Sequence, residues 1–522
     1  MVAFSNPDRD VFLVKLEKMI DRGALLSRYS RTSNLDIREV YEKEFSGDTM
    51  RGEAFYKRVF LEYGDESVSE LVTAQLAVQN ISNILSKIIE EQRIGLSYLE
   101  KSSRYVAYNK KSNGSYLYTS PERIGITGKL ASEYSELCDS LFDFYSANYK
   151  PAQDYFSRLY PMETLSFPDE NGKDVFFGDL DAEGKEIAAK SYRSSVRARA
   201  LDDLRALLPA STLTNAGISG NGRAFIYLIQ RLKASRIPEA EILADDIFKE
   251  LKTELPELID ASTNIHGEKQ IRYLESLRKH DTTPEQIIEG SVLTEIVDWD
   301  REPSSAARVI SIYEFSRREE SLAEIFRKKM KMSLAELSQE ISALAELRNT
   351  RRDRPPRAFE ACSYLMQINL NYGAFRDLQR HRFMSIERPF LSDRLGYDVP
   401  PYFLSTSELS EEYGKLMQSA SRLYRKIRGN SGAGIAQYAI PYAYRYPVSI
   451  MVNLRELVHF CELRSTPQSH YDLRKVSMDI YREVQEKTPA LSNIFRFVDT
   501  GDYALGRLKS EQKKEKKLRN LK

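Results

Sequence analysis

Arg380, His381 and Arg382 stand side by side, and Ser392 and Arg394 follow in the next loop. Three adjacent cationic or titratable groups repel one another unless an anion lies among them. At a helix end, successive residues point about 100° apart. The triplet therefore fans out, which suits an extended polyanion, such as a dinucleotide pyrophosphate with its sugars, better than one small ion. Ser392 and Arg394 place a hydroxyl and a guanidinium on one side of an extended chain, a clamp for a phosphate or carboxylate. Arg455 and His459 share a helical face at i and i+4, with Asn453 at its head, and Arg464 and His470 follow. Taken alone, Arg-His-Arg reads as a solvated helix end. The ordered succession of these motifs at domain-scale spacing argues for binding.

The elements that must position these residues occur twice. Val72, Ala74, Leu76 and Val78 alternate with more polar neighbours, and Ile81, Ile84, Leu85, Ile88 and Ile89 follow at helical spacing. Cys362, Tyr364, Met366, Ile368 and Leu370 alternate likewise, and Ala374, Phe375 and Leu378 run helically into Arg380. A Ser-x-Arg loop comes next in both halves, Ser102 to Arg104 after Glu100, and Ser392 to Arg394. Then come LRALLP (Leu204 to Pro209) and AQYAIP (Ala436 to Pro441), and finally Asn-x-Arg at Asn221 and at Asn453, each heading a helix. Such an ordered recurrence predicts two homologous α+β units, each a small antiparallel sheet with long helices. We place the first at 1–280, with a helical insertion at about 124–190, and the second at 290–505, divided near Lys279–Glu289. After the divide, a short strand, a turn at Pro303 and a helix capped by Ser304 or Ser305 are predicted. The basic residues of 506–522 read as a disordered tail.

Composition narrows the function. With 77 Lys plus Arg against 76 Asp plus Glu, the net charge is +1, so no global field marks a nucleic-acid or membrane protein. Cys138, Cys362 and Cys461 fit neither a disulfide framework nor a zinc site, and no metal is expected. No run approaches a membrane span. A cytoplasmic setting is expected.

The second half resembles the flavin-dependent thymidylate synthases, the ThyX family, in a specific series of motifs. These are Phe359-Glu360, the Arg-His-Arg at 380–382, the Ser-x-Arg loop, the segment ending in proline, NLRELVHFCELR (Asn453 to Arg464) and HYDLR (His470 to Arg474). The resemblance implies FAD bound between subunits. It also implies reductive methylation of dUMP to dTMP, with methylenetetrahydrofolate as carbon source and NADPH as reductant. It assigns Arg380, His381, Arg382, Asn453, Arg455 and His459 to the flavin. Ser392, Arg394, Arg464 and, from the first half, Glu100, Ser102, Arg104 and Arg205 are assigned to the nucleotide. No base is apparent beside Ser102 or Ser392, so no catalytic residue is assigned. Because the family works as a tetramer, a two-repeat chain is expected to pair as a homodimer, a pseudo-tetramer of four units.

Each half departs from the family pattern. The first has Glu91-Gln92-Arg93 in place of Arg-His-Arg. The second has two extra residues before Ser392, Gln437 where the first has Arg205, and His470 where the family has glutamine. Either the halves divide one composite site between them, or the chain is a divergent flavin or nucleotide-binding protein without synthase activity. An RNA-associated scaffold would rest on the basic tail alone.

Overall fold

Both alternating stretches form strands, and each runs into a helix capped by the strand's own last residue. In a computed structural model of the chain, the structure describes residues 3–33, 35–46, 51–58, 66–169, 172–278 and 294–520; the expected divide at Lys279–Glu289 lies outside them. Nine strands lie among the described residues: β1 (Thr73–Ser82), β2 (Leu96–Glu100), β3 (Ser166–Pro168), β4 (Asp174–Phe176), β5 (Leu213–Asn221), β6 (Thr294–Trp299), β7 (Ser363–Asn371), β8 (Ser385–Glu387) and β9 (Arg445–Asn453). All pair antiparallel, in the orders β1-β5-β2, β3-β4 and β6-β7-β9-β8.

The repeat is visible in that order. β1 leads into helix Asn83–Ile89 and then β2, as β7 leads into helix Tyr372–Leu378 and then β8. β5 and β9 lie between those partners and lead into helices Gly222–Ala234 and Leu454–Arg464. At all four junctions a short polar side chain accepts the backbone N–H three residues on: Ser82 from Leu85, Asn221 from Ala224, Asn371 from Ala374 and Asn453 from Glu456, at 2.9–3.0 Å. Such a cap stabilises a helix by about 1 kcal/mol. In the first sheet Ile81, Leu85, Ile89, Ile218, Phe225 and Ile229 are buried together. Tyr364, Met366, Ile368, Phe375, Val448, Ile450 and Leu457 take the corresponding role in the second.

The compact units do not divide as the repeat does. One comprises the described residues of 1–101, 118–132 and 211–285, the other those of 102–117, 133–210 and 286–522. The first repeat's Ser-x-Arg loop and Leu-Pro segment therefore belong to the second compact unit. Main-chain pairing explains the second assignment: the Ala210 N–H donates to the Ile440 carbonyl (2.8 Å) and the Tyr442 N–H to the Leu208 carbonyl (2.9 Å), so LRALLP and AQYAIP lie side by side.

Two local expectations are corrected. Pro303, not a serine, is the cap of helix Ser304–Phe315. Leu508–Asn520, expected within a disordered tail, is a helix, because its charges meet partners on helix Ala182–Leu204: Glu515 with Lys190 (2.5 Å), Glu511 with Ser194 (3.1 Å) and Arg519 with Glu183 (3.4 Å). No described helix is long and apolar enough to cross a membrane.

Candidate functional site

Helix Tyr372–Leu378 ends at Gln379, so Arg380, His381 and Arg382 lie in the turn beyond it rather than on a helix. The turn separates them, with His381 buried and both arginines exposed. His381 Nε2 lies 2.9 Å from Arg464 Nε, and its Nδ1 lies 3.0 Å from Glu456 Oε1. A guanidinium can only donate. Nε2 is therefore the acceptor, and Nδ1 carries a proton donated to Glu456. Burial, reinforced by Arg464, pushes the imidazole well below its usual pKa and keeps it neutral.

Asp377, in the last turn of the same helix, is the centre of an arginine group. Its carboxylate lies 4.0 Å from Arg104 Nη1, 4.0 Å from Arg205 Nη1 and 3.7 Å from Arg380 Nε, while its carbonyl accepts from Arg464 Nη2 at 2.8 Å. Burial would raise the Asp377 pKa, but these four arginines together outweigh it and hold the carboxyl well below the usual range. Asp202 accepts two hydrogen bonds from Arg104 (2.9 and 3.0 Å) and a longer pair from Arg507 (both 3.4 Å). Arg376, also buried, donates to Ser103 Oγ and Tyr442 Oη. Arg104, Arg205, Arg464 and Arg507 thus share two carboxylates, while Arg376 beside them bonds hydroxyls. Buried Arg205 Nη2 has no hydrogen-bond partner among the described residues.

Arg205 also lines a cavity of about 40 Å³ with Asn371, Asp398, Tyr442, His470 and Asp472, room for a few waters. Asn371 Nδ2 donates to Asp472 (2.6 Å) and Asp398 (3.0 Å). Burial, then the neighbouring Asp398, pushes Asp472 up to about 7.

A second arginine group surrounds a larger cavity of about 290 Å³, lined by Arg351, Arg352, Arg354, His459 and Leu463. None of these three arginines makes a side-chain ion pair or hydrogen bond among the described residues. Their turn is nonetheless firmly built. Asp353 accepts from the backbone N–H groups of Asn349 and Thr350 (2.8 and 2.7 Å). Just before it, buried Arg348 is bidentate to Glu462; just after it, Arg455 donates to the Pro355 carbonyl (2.7 Å) and Glu360 (3.1 Å). Sequence reasoning passed over Arg351, Arg352 and Arg354; the only signal was arginine density beside Asp353 and two prolines.

The family described as thymidylate synthase complementing protein matches residues 17–257 and 294–490, one region in each repeat. The chain belongs to that family. A UPF0159 protein of Thermoplasma acidophilum is 49% identical over 501 residues, 96% of this chain and 99% of its own length. One of Chlamydia pneumoniae is 34% identical over 535 residues, 98% and 96% of the two chains. A flavin-dependent thymidylate synthase of Thermococcus onnurineus is 30% identical over 107 residues, 20% of this chain and 42% of that protein.

In this member of the thymidylate synthase complementing protein family, Arg104 and Arg205 from the first repeat converge with Arg380 and Arg464 from the second. Ser102 accepts the Arg104 N–H at 3.3 Å. Ser392 and Arg394 flank Asp393, which is tied to Ser421 (2.6 Å) and Arg425 (2.8 Å) of helix Ser407–Ser431. Glu100 lies in the other compact unit, where it accepts from Ser86 and Lys87 (both 3.0 Å). Glu91, in the degenerate triplet there, pairs with Arg231 at 3.4 Å. Asn453 is engaged as a helix cap and Arg455 with Glu360, while half-buried His459 faces the open cavity. His381, Glu456 and His459 bring ligand-type atoms within 4.8 Å of one another. With Arg464 at one His381 nitrogen and Glu456 at the other, we read this trio as a hydrogen-bond network.

Proposed function

We propose that the chain is a flavin-dependent thymidylate synthase assembled from both repeats, converting dUMP to dTMP with FAD, methylenetetrahydrofolate and NADPH. The observation that carries this reading is the convergence on Asp377 of arginines from both halves, with Arg104, Arg205, Arg380 and Arg464 around one carboxylate. Buried charge is costly unless compensated, and a dianionic phosphate monoester supplies the missing charge. Arg205, with an unpartnered Nη2, and Arg104 and Arg464 are the residues that would hold it. Neutral His381 keeps Arg464 aimed from behind. The fit to a flavin dinucleotide rests on the unpaired cations around the larger cavity, with His459, Arg382, Asn453 and Arg455 following the family pattern. Bound there, FAD would supply the hydride-transfer chemistry of the reaction. The protein's contribution is to place the uracil ring and exclude water.

A second reading has its own support. Asp202 already holds Arg104 by both oxygens, and His470 stands where the family has glutamine, which suits a flavoprotein whose nucleotide substrate has changed. Purified protein should be yellow and release one FAD per chain, since only the second half keeps Arg-His-Arg. Conversion of dUMP to dTMP with folate and NADPH selects the synthase; a yellow protein without conversion selects the second reading. Light scattering at about twice 60.1 kDa is the outcome for a dimer of four repeats.

A further inference from the structure

We propose that Arg351, Arg352 and Arg354, with His459, form the seat of a dinucleotide's pyrophosphate, resting on the reading that the chain binds such a cofactor. The Arg-His-Arg triplet leaves room for further cations in that role. Arg380 already has Asp377 at 3.7 Å, and both His381 nitrogens are engaged. By contrast, the three arginines of the Arg351–Arg354 turn make no side-chain ion pair among the described residues, Arg354 feeling the Glu456 carboxylate only at longer range, and they line the same cavity.

Three like charges on one four-residue turn repel one another in water, so an unstructured turn would let them spread. Here the chain forbids it. Asp353 caps the turn from inside, Arg348 fixes its start to Glu462 and Ile494, and Arg455 fixes its end through Pro355. The repulsion is built in and preorganised, which lowers the ordering cost of binding an anion. Guanidinium forks match phosphate oxygens bidentately, and three of them exceed what one phosphate needs. A cavity of about 290 Å³ also sits near the lower end of ligand-sized pockets, about 300 Å³, and would take part of an extended molecule. His459 lies one helical turn before Leu463, so the helix Leu454–Arg464 supplies the wall opposite the turn. The pyrophosphate of FAD and that of NADPH share this chemistry, and experiment separates them.

The test compares full-length wild type with the triple variant R351Q/R352Q/R354Q and with R351K/R352K/R354K. Titrations use FAD, NADPH and inorganic pyrophosphate at two salt concentrations, with near-ultraviolet circular dichroism to check folding. The glutamine variant should stay folded and lose about a hundredfold in pyrophosphate affinity, with a shallower salt dependence, and the lysine variant should recover part of it. A parallel loss for FAD alone assigns the seat to the flavin; a loss for NADPH alone assigns it to the reductant. Folded glutamine variant with wild-type affinity for all three probes overturns the proposal. If wild type binds no flavin, the proposed function fails by itself; the seat then stands only if pyrophosphate binds and the variant abolishes it, and falls if pyrophosphate does not bind.

Discussion

The second compact unit holds two arginine groups that treat charge in opposite ways. Around Asp377, the guanidiniums of Arg104, Arg205 and Arg464 are largely withdrawn from water and partly neutralised by the protein's own Asp202 and Asp377. Around the larger cavity, Arg351, Arg352 and Arg354 keep water contact and make no side-chain ion pair among the described residues, with Asp353 in their turn and Glu456 at longer range as the nearby carboxylates. The first group is part of the folded interior, and an anion bound there adds to the counter-charge that Asp202 and Asp377 already supply. The second contributes little to folding and leaves its guanidinium donors for a ligand. Density of arginine therefore says little about function until the carboxylates are placed.

The largest effect should come from breaking the interior group. Arg104→Ala leaves Asp202 with only the two longer bonds from Arg507, and removing one member of a buried pair costs about 3–5 kcal/mol. Arg352→Ala should change stability by less than about 0.5 kcal/mol. Urea unfolding of both variants measures the contrast, and equal losses would erase the distinction between the groups.

A pH test is next in size. Folding raises Asp472 from an ordinary 3.8 to about 7. The stabilising proton is fully present in both states below about pH 4, and its contribution is lost as pH rises through about 7. The groups facing Asp472 are Asp398 and Asp203, which hold its pKa up, Asn371 and Arg205, which oppose them, and His470, whose Nδ1 accepts the Asp472 N–H and so is unprotonated. Asp472→Asn mimics the protonated acid. Between about pH 4 and 7 the variant should gain on wild type by roughly 1 kcal/mol per pH unit, read from denaturation midpoints. Parallel curves would mean that Asp472 stays ionised.

Much of the fold was legible, and the failures have physical causes. Alternation in β1 and β7 and the Asn heading the helices after β5 and β9 are local signals, and they yielded strands and helices. The repeat order yielded the matching sheets. The helix was expected to carry Arg380 to Arg382, but His381 turns back so that its N–H bonds the Leu378 carbonyl at 3.0 Å, a choice driven by burying the imidazole. The crossing of Arg104 and Arg205 into the second unit depends on partners far along the chain, such as Asp202, and charge pairing leaves no periodic trace. The helix Leu508–Asn520 did carry a signal, Glu511 and Glu515 at i and i+4 among the lysines, a face made for a basic and polar partner.

The smallest predicted effect sharpens the comparison most, because it makes the interior group resemble the open one. The Asp377 carboxylate stands 3.7–4.0 Å from three guanidiniums, beyond hydrogen-bond distance, so it screens their charge while leaving their donors available. Asp377→Asn removes that screen without removing volume. An added phosphate then meets one negative charge fewer, and inorganic phosphate should bind about tenfold more tightly, a change of about 1.4 kcal/mol, with a steeper dependence on salt. Stability should fall at the same time, since the unliganded interior keeps its arginines with one counter-ion fewer. Calorimetric titration of phosphate into both proteins reads the first effect and thermal unfolding the second. Weaker phosphate binding in the variant would assign Asp377 the opposite part, holding Arg104 and Arg205 in position for the anion rather than competing with it.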